Sequence, residues 1–180
     1  MRKVVYKTYL AWDFEREEKW LNSMSAKGLQ LVGVSFCRYV FEEGEPNEYI
    51  YRLEMLDDLP ESYKGQKYIN FIEETGAERI GSILRWVYFR KTPEKGGFDL
   101  FSDVDSRIKH LNRIVLLIAI LCWLPLFSGF NALQNFNSGE MSSGFVLGII
   151  CICVGAFLVI GLIIMLIKRH KLVKEKILHE

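Results

Sequence analysis

The residues that most often carry chemistry in proteins are few in this chain and fall mainly in its second half. The histidines and cysteines are His110, His170, His179, Cys37, Cys122, Cys151 and Cys153. Residues 1–109 therefore contain no histidine that could act as a general base or join a catalytic triad. Cys151 and Cys153 are separated by one residue, which is not the spacing of a metal or redox motif. No phosphate-binding glycine loop is present. We expect no catalytic centre, no cofactor and no metal site.

Several carboxylates of the amino-terminal half occur as adjacent pairs. These pairs are Glu17/Glu18, Glu42/Glu43, Asp57/Asp58 and Glu73/Glu74. Neighbouring residues on a helix or strand point in different directions, so neither member of a pair faces the other. The pairs predict solvated surface rather than general acid–base chemistry.

Aromatic side chains are the remaining candidates for a binding site. Tyr9, Tyr51, Trp86 and Tyr88 lie in predicted strands and could share one sheet face. Such a face could bind a protein partner, or an apolar or cationic ligand. RNA bases also stack on sheet aromatics, but the RNP1 pattern is missing. Residues 1–110 hold 17 Lys/Arg and 19 Asp/Glu, a net charge of −2, so we expect no nucleic acid partner.

The elements that would position these aromatics follow the order strand, helix, strand, strand, helix, strand. The predicted strands are Lys3–Trp12, Leu29–Phe41, Glu48–Met55 and Ile80–Lys91, and the predicted helices are 13–27 and 61–75. Gly28 and Gly76 follow the helices as C-terminal stops. The order predicts an α+β domain with the ferredoxin-like βαββαβ arrangement, in which both helices cover one face of a four-stranded sheet.

The last predicted strand is apolar on both faces. Trp86 and Tyr88 lie on one face, and Val87 and Phe89 lie on the other. Because two helices can cover only one face, we expect the other to bind a partner, a ligand, the membrane surface or a second copy. The alternative is that the segment Thr92–Arg113 folds back over this face. Phe98, Leu100 and Phe101 are the residues suited to that role.

Two long uncharged segments indicate membrane helices. Ile114–Phe130 has 17 residues and Phe145–Ile167 has 23, and Glu140 is the only charge between Ile114 and Ile167. About 20 apolar residues suffice to cross a bilayer as a helix. The predicted organisation is a cytoplasmic domain (1–92), a juxtamembrane linker or helix (93–110), membrane helices at 111–131 and 145–167, an external loop (132–144) and a basic tail (168–180).

The basic residues beside these segments predict their orientation. Lys109 and Arg113 precede the first segment, and five Lys/Arg follow the second, whereas the loop 132–144 has none. The positive-inside rule then places both termini in the cytoplasm of a multi-pass protein of the bacterial cell membrane. The amino terminus lacks the apolar region of a signal peptide.

Small residues form a stripe on the second apolar segment. Gly144, Gly148, Cys151 and Gly155 are spaced by four, three and four residues and share one helix face. The stripe could form a homodimer seam, or it could pack against the first membrane helix of the same chain.

The stretch WLNSMSAKGLQL (residues 20–31) has the pattern W-L-N-x-M-x-x-K-G-x-x-L. Together with YIYRLEM (49–55) and FDLFSDVDSRI (98–108), it resembles the bacterial domain-of-unknown-function family 2812 over residues 1–113. The resemblance implies a protein of Gram-positive bacteria whose domain is joined to carboxyl-terminal membrane helices. It also implies genes that lie beside those of PadR-like transcriptional regulators.

Two functions remain open at this point. The first is a membrane-anchored regulatory or interaction protein, whose cytoplasmic domain binds a protein partner such as a PadR-like regulator. The alternative is a membrane-tethered sensor that binds an apolar or cationic small molecule on the aromatic sheet face.

Overall fold

The computed structural model describes residues 2–93, 98–100, 103–134 and 143–179. The chain divides into two compact units, Met1–Ser106 and Arg107–Glu180. The first unit contains strands and two short helices, and the second consists almost wholly of two long helices. The predicted α+β class of the amino-terminal half is confirmed.

The described residues of the first unit form six strands rather than the four predicted. Its elements are β1 (Arg2–Tyr6), α1 (Phe14–Ser25), β2 (Leu29–Ser35), β3 (Arg38–Glu43), β4 (Ile50–Met55), α2 (Tyr63–Glu74), β5 (Glu78–Ile83) and β6 (Trp86–Lys91). They form two antiparallel three-stranded sheets with the orders β1-β3-β2 and β4-β6-β5. The single four-stranded sheet of the ferredoxin-like prediction is therefore wrong.

The six strands arise from a repeated βαββ unit, which the sequence had not suggested. The helix-ending glycines Gly28 and Gly76 are 48 residues apart, and both have a positive φ. The strand glycines Gly33 and Gly81, which follow an irregularity in the ladder in each repeat, have the same separation. Residues 2–43 thus form the first repeat and residues 50–91 the second.

The strand count was missed because two hairpin turns lack the usual turn residues. β2 and β3 are joined by Phe36 and Cys37, and β5 and β6 are joined by Leu84 and Arg85. Two-residue hairpin loops usually contain glycine, asparagine or aspartate. Without that signal, the segments 29–41 and 80–91 each read as one long apolar strand.

Both faces of β6 are covered by the chain itself, so the expectation of an open sheet face is wrong. On one face, Tyr88 belongs to a buried cluster with Leu21, Tyr39 and Leu53, which come from α1, β3 and β4. On the other face, Val87 and Phe89 are buried against the α2 residues Ile69 and Ile72, and Phe98 joins them with Leu100 packed alongside. Phe98 and Leu100 do fold back onto the sheet, but they pack on the face that α2 covers. The alternative of a linker that covers the face left open by the helices is therefore also wrong for these two residues. Phe101 lies outside the described residues.

The end of α1 depends on a glycine for a steric reason. Gly28 has a φ of +74°, and a Cβ at this position would lie 2.8 Å from the carbonyl oxygen of Gly44. Its own carbonyl accepts the Gly44 backbone N–H at 2.9 Å. Only glycine combines this backbone conformation with such a close approach. The K-G step of the motif therefore fixes where α1 ends and β2 begins.

The second unit is a pair of long helices, α3 (Val104–Gln134) and α4 (Ser143–His179). Both are long and apolar enough to cross a membrane. Pro125 lies inside α3, and the helix continues beyond it. The side chain of Arg169 in α4 donates to Asn112 Oδ1 in α3 at 2.5 Å, so the end of one helix lies beside the beginning of the other.

Two residues of the predicted small-residue stripe pack against α3, and the other two are exposed or half-buried. A Cβ added to Gly148 would lie 2.9 Å from the Cβ of Ala132 in α3, and one added to Gly155 would clash with Leu126. Gly144 is exposed and Cys151 is half-buried. Gly148 and Gly155 therefore allow close packing of α4 on α3 within one chain.

Candidate functional site

The four predicted site residues lie in or against one buried aromatic cluster, not on an open surface. Tyr51 and Tyr88 are fully buried members of this cluster, and Tyr9 and Trp86 are half-buried and pack against it. Two strands, β4 and β6, and the segment after β1 supply them. The structure thus brings the four residues together, but around a common centre that the sequence had not indicated.

Tyr51 has a structural role within the cluster. Its hydroxyl accepts the backbone N–H of Leu31 at 2.9 Å and donates to Gln30 Oε1 at 3.0 Å. Burial raises the pKa of Tyr51 to about 12. The hydroxyl has used its donor and one acceptor position inside the protein, so it ties β4 to β2 and is not offered to a ligand.

The centre of the cluster is a buried carboxylate, Glu17, on α1. The hydroxyls of Tyr39 and Tyr88 both donate to Glu17 Oε1, at 2.6 and 2.7 Å. The side chain of Glu17 is 6% exposed. One tyrosine comes from each repeat, so the carboxylate joins the two repeats at their common core.

Burial dominates the electrostatics of this carboxylate. Loss of solvent raises the pKa of Glu17, and the two tyrosine hydrogen bonds only partly oppose that effect. The pKa values of Tyr39 and Tyr88 are also raised, first by burial and then by the carboxylate beside them. The tyrosines therefore remain neutral donors, while the charge of Glu17 is held in an unfavourable place.

Aromatic rings surround the carboxylate and extend to the surface. The Trp20 ring lies 4.9 Å from the Tyr39 ring and 5.8 Å from the Tyr9 ring, measured between centroids. Phe14 lies one turn before Glu17 on α1, and the centroid of its ring is 5.6 Å from that of the Trp86 ring. We refer to Glu17, Tyr39, Tyr88, Trp20 and Tyr9 as the Glu17 site.

One cation already lies on this aromatic rim. The Lys7 ammonium is 4.7 Å from the centre of the Trp20 ring and 4.9 Å from the centre of the Tyr9 ring. Lys7 is otherwise exposed. Because the faces of tryptophan and tyrosine rings are electron-rich, they attract ammonium groups and organic cations in the same way. The rim of the Glu17 site is therefore a surface that holds positive charge.

Other side chains of α1 form hydrogen bonds along the free edge of β4. Glu18 Oε1 accepts the N–H of Leu53 at 2.8 Å, and Asn22 bonds both the N–H and the carbonyl of Tyr51 at 2.9 and 3.1 Å. Ser25 then donates to the carbonyl of Tyr49 at 2.7 Å. The helix thereby replaces a neighbouring strand, which satisfies the backbone and blocks edge pairing. Burial raises the pKa of Glu18 to about 7.

The prediction of solvated acidic pairs is wrong for Glu17 and Glu18. The sequence did contain the signal that was missed. Glu17 lies three residues after Phe14 and four before Leu21, on the apolar stripe of α1. A carboxylate on a buried helix face requires donors, and here Tyr39 and Tyr88 supply them. The remaining acidic pairs are partly or fully exposed.

Within the described ranges, no group of three or more histidine, cysteine, aspartate or glutamate side chains is placed to hold a metal ion. Among the known proteins compared with this chain, the family described as "Protein of unknown function (DUF2812)" matches residues 13–123. That range begins just before α1 and ends within α3. No curated protein and no solved structure matches the chain.

Proposed function

We propose, for a chain that belongs to the DUF2812 family of proteins of unknown function, a role as a membrane-anchored sensor of small organic cations. The observation that carries the proposal is the Glu17 site: a buried carboxylate with tyrosine donors and an aromatic rim already occupied by an ammonium group. No catalytic step and no nucleic acid partner form part of the proposal.

The anchor in this proposal is the pair α3 and α4. The large side chains Leu116, Ile120, Trp123, Leu124 and Phe127 are exposed on the surface of α3, as are Ile149, Ile150, Val154, Phe157 and Ile160 on α4. Such a surface is unstable in water and suited to lipid. Asn112 and Arg169 connect the beginning of α3 to the end of α4. The basic residues at these two helix ends favour a cytoplasmic position for both termini.

The ligand follows from the chemistry of the Glu17 site. A carboxylate that is poorly solvated gains most from a cation that is itself weakly hydrated, such as a quaternary ammonium or phosphonium ion. Such an ion would replace the Lys7 ammonium on the Trp20 and Tyr9 rings and approach Glu17. The carboxylate is enclosed in this structure, so binding requires the rim to open. That opening would shift α1, whose other side chains hold β4.

Binding should be coupled to a proton, with a sign set by Glu17. Burial raises the pKa of Glu17, so the protonated, neutral form persists to a higher pH than it does for a glutamate in water. A cation binds the ionised form better, so affinity rises as the pH rises through the pKa of Glu17 and falls as the pH falls through it.

The test is binding of tetraphenylphosphonium to the full chain in nanodiscs, measured by equilibrium dialysis against empty nanodiscs. Glu17→Gln retains an oxygen that can accept from Tyr39 and Tyr88 but removes the charge. We expect it to weaken binding about tenfold or more and to remove the pH dependence.

The matched control is Glu15→Gln, which removes an exposed charge from the same helix and should leave binding unchanged. Triphenylphosphine oxide, an uncharged analogue, should bind weakly to every variant. If tetraphenylphosphonium binds the Glu17→Gln variant as tightly as the unaltered protein, the Glu17 site is not a cation site.

A second candidate function is the binding of a protein regulator, and a different surface favours it. Tyr63 and Phe71 are 83% and 59% exposed on α2. Aromatic residues exposed on a helix are common anchors of protein interfaces. A photoreactive residue at Tyr63 in living cells would test this function. A regulator captured from Tyr63, but not from the exposed residue Lys27 on the first repeat, would support it.

A further inference from the structure

Two exposed apolar side chains mark the tips of the two β-hairpins. Phe36, between β2 and β3, is 82% exposed, and Leu84, between β5 and β6, is 81% exposed. They occupy equivalent positions, 48 residues apart, each first in a two-residue turn. Tyr6, which pairs with Arg38 beside the first turn, is 74% exposed.

The backbone at both tips is unfavourable for the residues it contains. Cys37 has a φ of +56° and Leu84 has a φ of +54°. Glycine or asparagine is ordinarily found in this conformation, and a leucine adopts it at a cost. Leu84 is thus both strained and exposed, and Phe36 is exposed beside the strained Cys37. An observed departure of this kind points to a use of the side chains.

Both tips lie at the same end of the first unit. β2 and β5 lie side by side. A Cβ at Gly81 of β5 would lie 3.1 Å from Val34 of β2. Arg90, which pairs with Glu78 of β5, reaches the carbonyl oxygen of Leu31 of β2 at 3.4 Å. Residue 31 of β2 thus lies near residue 78 of β5, and residue 34 lies near residue 81. Because the residue numbers increase in the same direction along both strands, β2 and β5 run parallel, and the turns that follow them lie at the same end of the unit.

Basic residues flank these tips. Lys7 follows β1 and its backbone N–H bonds to Cys37 at 3.1 Å, Arg38 opens β3, and Arg85 lies in the second turn. The acidic residues Asp57 and Asp58 directly follow Leu56, which forms two hydrogen bonds to Arg85, so these acids lie beside the Leu84 turn and not beside the Phe36 turn. The side of the tips formed by β1, β3 and the Phe36 turn therefore combines exposed apolar groups with positive charge.

We propose that this end of the first unit, which we call the apolar tip (Tyr6, Phe36 and Leu84), inserts into the surface of an anionic lipid bilayer. Apolar side chains beside basic ones are the combination that binds at the boundary of headgroups and acyl chains. This inference rests on the proposed membrane anchoring, because attachment to a membrane helix gives the tip a high effective concentration at the bilayer. The occupant is the lipid surface, not a second copy or a protein.

The experiment places dansylalanine, a fluorescent residue, at position 36 of the full chain. The protein is reconstituted into nanodiscs of phosphatidylcholine alone, or of phosphatidylcholine with phosphatidylglycerol, each with and without lipids that carry a quencher. We expect blue-shifted emission and strong quenching at position 36 in the anionic discs. Arg38→Gln should lower the ratio of inserted to free tip about fivefold, as expected for the loss of one basic group near the surface.

Two control positions distinguish the tip from the anchor. Dansylalanine in place of Tyr63, which is exposed on α2, should be quenched in neither disc. In place of Leu124, which is exposed on α3, it should be quenched in both. No quenching at position 124 would contradict the proposed membrane anchoring. Quenching at position 124 but not at position 36 would overturn the apolar tip alone. A blue shift at position 36 that persists in detergent and grows with protein concentration would also overturn it, in favour of a second copy.

Discussion

The two βαββ repeats share one backbone plan but use their helices differently. The helix α1 of the first repeat buries Glu17 between Tyr39 and Tyr88 and lays Glu18, Asn22 and Ser25 along the edge of β4. The helix α2 of the second repeat buries Ile69 and Ile72 in an apolar cluster. It also leaves Tyr63 and Phe71 exposed.

The two helices differ in whether their polar side chains form hydrogen bonds across the repeats or within one repeat. The polar residues of α1 reach strands of the second repeat. The contacts of α2 lie within its own repeat and the segment after it, and they combine apolar packing with one hydrogen bond, from Tyr68 to the buried Glu54 of β4 at 2.8 Å. The first helix therefore joins the two repeats, and it carries the buried Glu17. Apolar packing tolerates many substitutions, but a hydrogen-bonded edge needs particular donors and acceptors.

The largest effect should come from cutting the bonds of α1 to the edge of β4. Asn22→Ala removes the hydrogen bonds to both backbone groups of Tyr51; the N–H loses the Asn22 acceptor, and the carbonyl keeps the bond from Arg52 at 3.0 Å. We expect the free energy of unfolding to fall by about 2–4 kcal/mol. Urea unfolding of the full chain in detergent, followed by circular dichroism, measures it. Asn70→Ala on the exposed side of α2 is the control, with an effect of about 0.5 kcal/mol or less. Equal losses in both variants would remove the distinction between the helices.

The two helix-ending glycines provide a direct comparison between the repeats. Gly28→Ala must adopt a positive φ and also place its Cβ 2.8 Å from a backbone oxygen. Gly76→Ala meets the same conformational cost, but its Cβ would lie 3.6 Å from the flexible Lys91 side chain. We expect losses of about 2–3 kcal/mol for Gly28→Ala and about 1 kcal/mol for Gly76→Ala. The same unfolding measurement tests both, and a reversed order would mean that Gly44 moves away at little cost.

A smaller and pH-dependent effect should follow from Glu18. Its pKa is near 7 in the folded protein and close to 4.5 without the fold. The folded state therefore binds the proton on Glu18 more tightly, so the contribution of Glu18 to stability is fully present below about pH 4.5 and is lost as the pH rises towards 7. Glu18→Gln should remove about 2 kcal/mol of that decline, after allowance for its partial exposure. Unfolding at a series of pH values measures it, with Glu74→Gln on α2 as the exposed control. An unchanged pH profile would show that Glu18 is solvated when the protein is folded.

Several parts of the fold could be predicted because they depend on local properties. Gly28 and Gly76 end their helices as expected, and both helices begin within a few residues of the predicted positions. The two apolar segments lie in long helices because such lengths of uncharged residues have few other stable forms. The hairpins were missed because Phe36 and Leu84 are not turn formers. The 48-residue repeat was missed because little more than Gly28/Gly76, Gly33/Gly81 and Phe41/Phe89 records it.

The sequence by itself determined the α+β class, the helix ends, the apolar helices and the family to which residues 13–123 belong. Only the tertiary structure decided that Tyr51 is a core residue, that β6 has no open face and that Glu17 is the centre of the site. Periodicity shows which residues share a face of one element, but not which element covers that face. The burial of a charge is decided by donors that are distant along the chain. Here they are Tyr39 and Tyr88, which lie 22 and 71 residues from Glu17.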